Sequence, residues 1–146
     1  MFKALLRTLR TTPARSSSMP GANLALAALL VRVARTDGHY AESEKSSIDR
    51  TLMDFLGTGP FEAARLRTQA EGLEADAPDT VRFTRTLKEV TPVEERTRLL
   101  EAMWRIALSD GRHDAEEDQL MRVSARLLGL SDVESAMARQ RARQGI

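Results

Sequence analysis

Four carboxylates and two imidazoles of this chain gather at two places with matching spacing. Asp37-Gly38 is followed by His39 and Glu44, and Asp110-Gly111 is followed by His113 and Glu117, so each Glu stands seven residues beyond its Asp. Carboxylate oxygens suit calcium, magnesium or manganese, and an added imidazole moves the preference towards zinc or manganese. A divalent cation held by Asp37, Glu44, Asp110 and Glu117 is therefore the cofactor these residues predict. A structural use of the same residues stands beside it and suffices for the glycines: Asp caps turns, Gly takes the left-handed position after a helix, and Glu near a helix start complements the positive end of the dipole.

Other chemistries find less support. The second loop is not an EF-hand, because ligand positions one and three before its Gly would be Ile106 and Leu108. The chain has no cysteine, which excludes disulfides, thiolate nucleophiles, Cys-ligated zinc and iron-sulfur clusters. It has no His-Glu-x-x-His pair, no Gly-x-Ser-x-Gly elbow and no phosphate-binding glycine loop. Gly57-Thr58-Gly59 reads more simply as one helix ending and the next beginning. Asp37 and Asp110 can in principle share a proton as an acid/base pair, so a metal-dependent enzyme using the loop carboxylates is the alternative. Nothing in the sequence indicates a substrate pocket, and the expectation is a binding module, not an enzyme.

The elements that must position these residues are helices. The composition is rich in Ala, Leu, Arg and Glu with only 4% aromatic residues, and no strand-like alternation runs through it. Leu24 to Thr36 is apolar except for its arginines, as suits a helix at the centre of a bundle, and its roughly 13 residues are too few to span a bilayer. Capping chemistry marks further starts: Gly59-Pro60, Pro78-Asp79, a box of Thr91, Pro92 and Glu94, Asp114 with Glu117, and Ser131 with Glu134. Stops fall near Ala75, Val90, Ser109 and Gly129. The sole tryptophan, Trp104, shares a helical stripe with Leu100, Met103 and Ala107 and reads as core.

The same helix, Asp-Gly loop, helix unit occurs twice. Val33-Ala34-Arg35-Thr36-Asp37-Gly38 aligns with Ile106-Ala107-Leu108-Ser109-Asp110-Gly111 at an offset of 73, with Ile48, Leu52 and Phe55 matching Met121, Ala125 and Leu128. The fold expected is all-α, a compact bundle of about seven helices, with the two units related by a pseudo-twofold axis that brings both loops to one face.

Charge divides the chain. Residues 1 to 20 carry Lys3, Arg7, Arg10 and Arg15 without an acid, residues 137 to 146 carry Arg139, Arg141 and Arg143 without an acid, and the middle nets −6. An acidic body is a poor match for duplex DNA, so no nucleic-acid partner is expected. Residues 1–21 form a basic amphipathic segment and a Ser/Pro/Gly linker, and residues 22–146 form the helical domain. Phe2, Leu5, Leu6 and Leu9 make one apolar face that either docks on the domain or touches an anionic membrane through residues 1–10. The arginines at the far end read as a solvated helix terminus.

The paired motifs resemble the TerB, or tellurite resistance protein B-like, family, whose hallmark is a hydrophobic helix running into Ala-Asp-Gly, a short loop, and a helix opening with clustered Glu. The matching residues are Ala34 to Gly38 with Glu42 and Glu44, and Met103 to Gly111 with Glu116 and Glu117. Asp79 to Arg85 is similar to a segment of one bacterial branch, and the likeness covers roughly residues 22 to 142. It departs at Ala41, where a Ser or Asp cap is common, and at Thr36 and Ser109, where Ala is usual. The resemblance implies a helical fold, a link to tellurite resistance and envelope stress response, divalent-metal binding by acidic residues, and no family-wide catalytic activity. It implies a protein partner met through the acidic loop face, in the cytoplasm or peripheral to the inner membrane.

Overall fold

The computed structural model describes residues 21–36, 38, 40–77, 80–109 and 115–144. These form seven helices and no strand: α1 (Ala22–Arg35), α2 (Glu42–Leu56), α3 (Pro60–Asp76), α4 (Val81–Val90), α5 (Val93–Leu108), α6 (Ala115–Leu127) and α7 (Asp132–Gln144). The all-α bundle expected from composition is what the chain forms.

Ala and Leu dominate α1, favouring helix and leaving an apolar surface on almost every side. Every residue from Ala25 to Val31 is fully buried, and α1 touches α2, α3, α4, α5 and α6. It is the axle of the bundle. The second long buried stretch is α5, which sinks Leu99, Leu100, Met103 and Trp104. The shorter α4 is amphipathic, burying Phe83 and Leu87 together with Thr84, whose hydroxyl donates back to the carbonyls of Thr80 and Val81.

Packing groups the helices into two trios joined by α4. In the first, α1 packs most extensively on α3 with α2 against both; in the second, α5 packs most extensively on α7 with α6 against both. Each trio thus holds a third helix beside the two helices of the unit read from the sequence. In each trio that helix follows a glycine in the left-handed region, Gly57 at φ +69° and Gly129 at φ +82°. Matching positions share their burial: Val33 with Ile106, Ala34 with Ala107, Ile48 with Met121, Leu52 with Ala125 and Phe55 with Leu128 all lie in the core.

Several boundaries differ from the sequence reading. Helix α1 begins at Ala22, two residues earlier, because Gly21 takes the N-cap position and neither Ala22 nor Asn23 is a helix breaker. Helix α4 begins at Val81 after Thr80, not at Pro78-Asp79, which lie outside the described residues. The box at Thr91 and Glu94 does not form. Pro92 occupies the N-cap with no side-chain bond, and Arg96 Nε donates to the Thr91 carbonyl at 2.8 Å. The box at Ser131 and Glu134 does form, by reciprocal bonds of 2.8 and 3.1 Å.

Candidate functional site

Helix α1 runs out at Arg35, and Thr36 closes its end by donating from Oγ1 to the Arg32 carbonyl at 2.7 Å. Gly38 follows at φ +83°, its N–H donating to the Arg35 carbonyl at 3.0 Å. At the matching place Ser109 closes α5 by donating from Oγ to the Ile106 carbonyl at 2.8 Å. The two hydroxyl residues that depart from the usual Ala therefore have the same job, satisfying a carbonyl at a helix end.

Past the first loop the chain is extended at Ala41 and enters α2. Alanine cannot cap with its side chain, but Glu44 supplies the other half of a capping box, its Oε1 accepting the Ala41 N–H at 3.0 Å. Glu44 is only 6% exposed. Past the second loop, Glu117 occupies the same third position of α6 and is 4% exposed. Of the four expected metal ligands, Glu44 and Glu117 are thus both buried at the start of the helix leaving their loop. Asp37 and Asp110 lie outside the described residues, as do His39, His113, Gly111 and Asp114. Among the described residues no group of three or more acids and histidines is placed to hold a metal ion.

The sequence reading missed the clamp that holds the first loop to α3. Tyr40, the loop's last aromatic, donates from its hydroxyl to Glu71 Oε2 at 2.6 Å, while Arg35 and Lys45 lie 4.9 and 5.2 Å from its ring centre. Arg67 Nη1 donates to the same Glu71 oxygen at 2.8 Å, and its Nε and Nη2 donate to the two Asp49 oxygens at 2.7 and 3.4 Å. Glu74 accepts from Arg32 Nε at 3.0 Å and Arg35 Nη1 at 2.7 Å.

These groups shift one another. Burial, then the hydrogen bond to Glu71 and its charge, pushes the Tyr40 hydroxyl well above its ordinary value. Burial alone would raise Glu71, but hydrogen bonds from Tyr40 and Arg67, with the charges of Arg67 and Lys45, hold it below the usual carboxylate range. The only sequence signal was the chain's sole tyrosine beside a loop; the bonds from Tyr40 to Glu71, Arg67 to Asp49 and Arg32 to Glu74 join residues 31, 18 and 42 positions apart.

Charged residues also line the second trio. Trp104 is buried as expected, yet its Nε1 donates to Ser135 Oγ at 3.4 Å and Arg139 lies 5.2 Å from its ring centre. These residues, with Arg122 and Arg126, border a groove of about 420 Å³ between α6 and α7. The terminal arginines are not merely solvated, since Arg141 Nε also donates to Glu101 Oε1 at 2.8 Å. Of the basic segment and linker expected over residues 1–21, all but Gly21 lies outside the described residues. No described helix is long and apolar enough to cross a membrane.

Residues 23–140 match the family model described as tellurite resistance protein TerB. No curated protein and no solved structure matches the chain.

Proposed function

The chain belongs to the TerB family, and from that premise we propose that it is a binding module without catalytic chemistry, which takes a divalent cation at Asp37, Glu44, Asp110 and Glu117. The observation that supports this is the burial of Glu44 and Glu117 at matching positions. Capping does not require it: Glu134 caps α7 from the same third position while staying partly exposed to solvent. Two carboxylates buried at the third position of the helix that leaves an Asp-Gly loop are suited to share a cation with the loop acids. In this reading the pseudo-twofold axis brings the loops together, and the cation sets their shape for a protein partner that meets the loop face. The setting is the cytoplasm, with residues 1–10 able to touch the inner membrane.

Calorimetric titration of the metal-free protein with calcium, magnesium, manganese and zinc tests this. Saturable binding by one of them, lost in Glu44→Gln with Glu117→Gln and in Asp37→Asn with Asp110→Asn, is the expected result. A rise in melting temperature should accompany occupancy. Equal stabilisation by monovalent salt would reduce the effect to screening. Turnover of a hydrolysable substrate, abolished by Asp37→Asn, would replace the module with the metal-dependent enzyme.

A further inference from the structure

We infer that the groove between α6 and α7 is a second binding site, one that takes an acidic peptide segment of a partner protein. Its walls carry Arg122, Arg126 and Arg139, and a second groove of about 380 Å³ continues along α7 past Arg139 to Arg143. This row of cations stands on a body that is otherwise acidic. Among the described residues Arg122 and Arg143 enter no ion pair, and Arg126 only approaches Asp132, at 3.8 Å with both side chains exposed. In the first trio, by contrast, Arg67 is held by Asp49 and Glu71, and Arg35 of α1 by Glu74.

The shape and charge of the groove choose among anions. Its cations come from two helices, and Asp118 and Asp132 line the same groove, which disfavours a compact dianion such as phosphate. The same two acids oppose a continuous polyphosphate backbone. Carboxylates spaced along a peptide can pass the acids and meet the arginines in turn. Apolar contact is available beside them, since Val133 and Met137, one helical turn apart on the outer side of α7, are 68% and 55% exposed. An amphipathic acidic segment lying along α7 matches both features. At the groove floor the indole of Trp104, under Arg139, is placed to report its arrival.

The test uses the full chain and a synthetic helical peptide of about 15 residues with Leu on one face and Glu flanking it, beside a control in which Lys replaces each Glu. Trp104 fluorescence should change saturably with the Glu peptide only. Affinity should fall at least about tenfold in Arg122→Glu with Arg143→Glu, and again on raising salt from about 0.05 to 0.3 M. Both replaced side chains are exposed, so the melting temperature should hold and separate lost binding from lost fold. Equal binding of both peptides, no binding, or full affinity in the double variant would overturn the proposal. Concentration-dependent self-association without peptide, abolished by the double variant, would instead make a second copy of this chain the occupant. Displacement of the peptide by phosphatidylglycerol vesicles at lower concentration than peptide itself would make it a lipid surface. Either result also overturns the proposal.

Discussion

The two trios place three helices in the same order and use their charges in opposite ways. In the first, Arg32, Arg35 and Arg67 are spent within the molecule, tying α1, the first loop and α2 to α3 through Glu74, Glu71 and Asp49. In the second, Arg141 of α7 reaches Glu101 of α5, and the seam between α6 and α7 remains a groove with arginines on its walls. The matching core residues show that apolar packing sets the shape in both. The difference teaches that charge, not packing, separates a trio built to hold a loop still from one with a surface to offer.

The contrast should show most strongly in the glutamates. Glu74→Ala leaves Arg32 and Arg35 against α3 without their carboxylate, and both side chains are largely shielded from water. A loss of about 2–3 kcal/mol is expected, since charged hydrogen bonds contribute about 1.5–3 kcal/mol and a stranded charge adds to the cost. Glu101→Ala removes the partner of Arg105 and Arg141, which are almost half exposed and can rehydrate, so under about 1 kcal/mol should be lost. Urea unfolding of the two variants measures the difference. Equal losses would erase the distinction between the trios.

Next in size is the first loop's glycine. Gly38 sits at φ +83° with open space where a side chain would begin, so Gly38→Val brings backbone strain and no clash. About 1–2 kcal/mol should be lost, the cost of the left-handed region for a residue with a Cβ. By the repeat, Gly111→Val should behave alike, although Gly111 lies outside the described residues. Unchanged midpoints in both would break the correspondence of the loops.

How much of this could be read from the chain follows from the range of each interaction. The seven helices, the buried α1, the box at Ser131 and the left-handed turns at Gly38 and Gly129 rest on residues a few positions apart, and each was visible. Thr91 misled because its capping pattern is satisfied on paper while Pro92 takes the cap and Arg96 claims the carbonyl. Glu44 and Glu117 were marked by their spacing, but their burial depends on how α2 and α6 sit in the bundle. The clamp of Tyr40, Arg67 and Glu71 and the groove over Trp104 join side chains from different helices, and no local pattern announces such meetings. That α3 and α7 take matching places in the two trios was hidden for the same reason, since they share packing but little sequence.

A smaller effect tests the clamp itself. Tyr40→Phe removes the 2.6 Å bond to Glu71 and should lose about 1 kcal/mol at neutral pH. The pH dependence has a determined sign on both sides. Glu71 has a lowered folded value, so its contribution is present above the unfolded carboxylate value near about 4.3 and is lost as pH falls through the folded one. Tyr40 has a raised folded value, so its contribution is full below the unfolded value of about 10 and is lost as pH rises beyond it. The gap between the parent and Tyr40→Phe should thus be widest between about pH 5 and 10 and close on both sides. A gap independent of pH would mean that the hydroxyl acts by packing alone.

The smallest expected effect runs the other way and sharpens the comparison by asking what holds α3 in place. Gly72 lies within α3, next to Glu71 and two residues before Glu74, in a helical stretch where glycine costs backbone entropy. An added Cβ would meet nothing within 4 Å, and the residue faces solvent. Gly72→Ala should therefore stabilise the protein by about 0.5–1 kcal/mol through helix propensity and a less flexible unfolded chain. At roughly 2–4 °C for each kcal/mol, that is a small upward shift in melting temperature. If the clamp to Arg67, Tyr40, Arg32 and Arg35 already holds α3 in register, the gain should persist in Glu101→Ala and in Glu74→Ala, because propensity and the ion pairs act independently. A gain that disappears in Glu74→Ala alone would show that the two are coupled, with the Glu74 ion pairs needed for α3 to stay helical through Gly72.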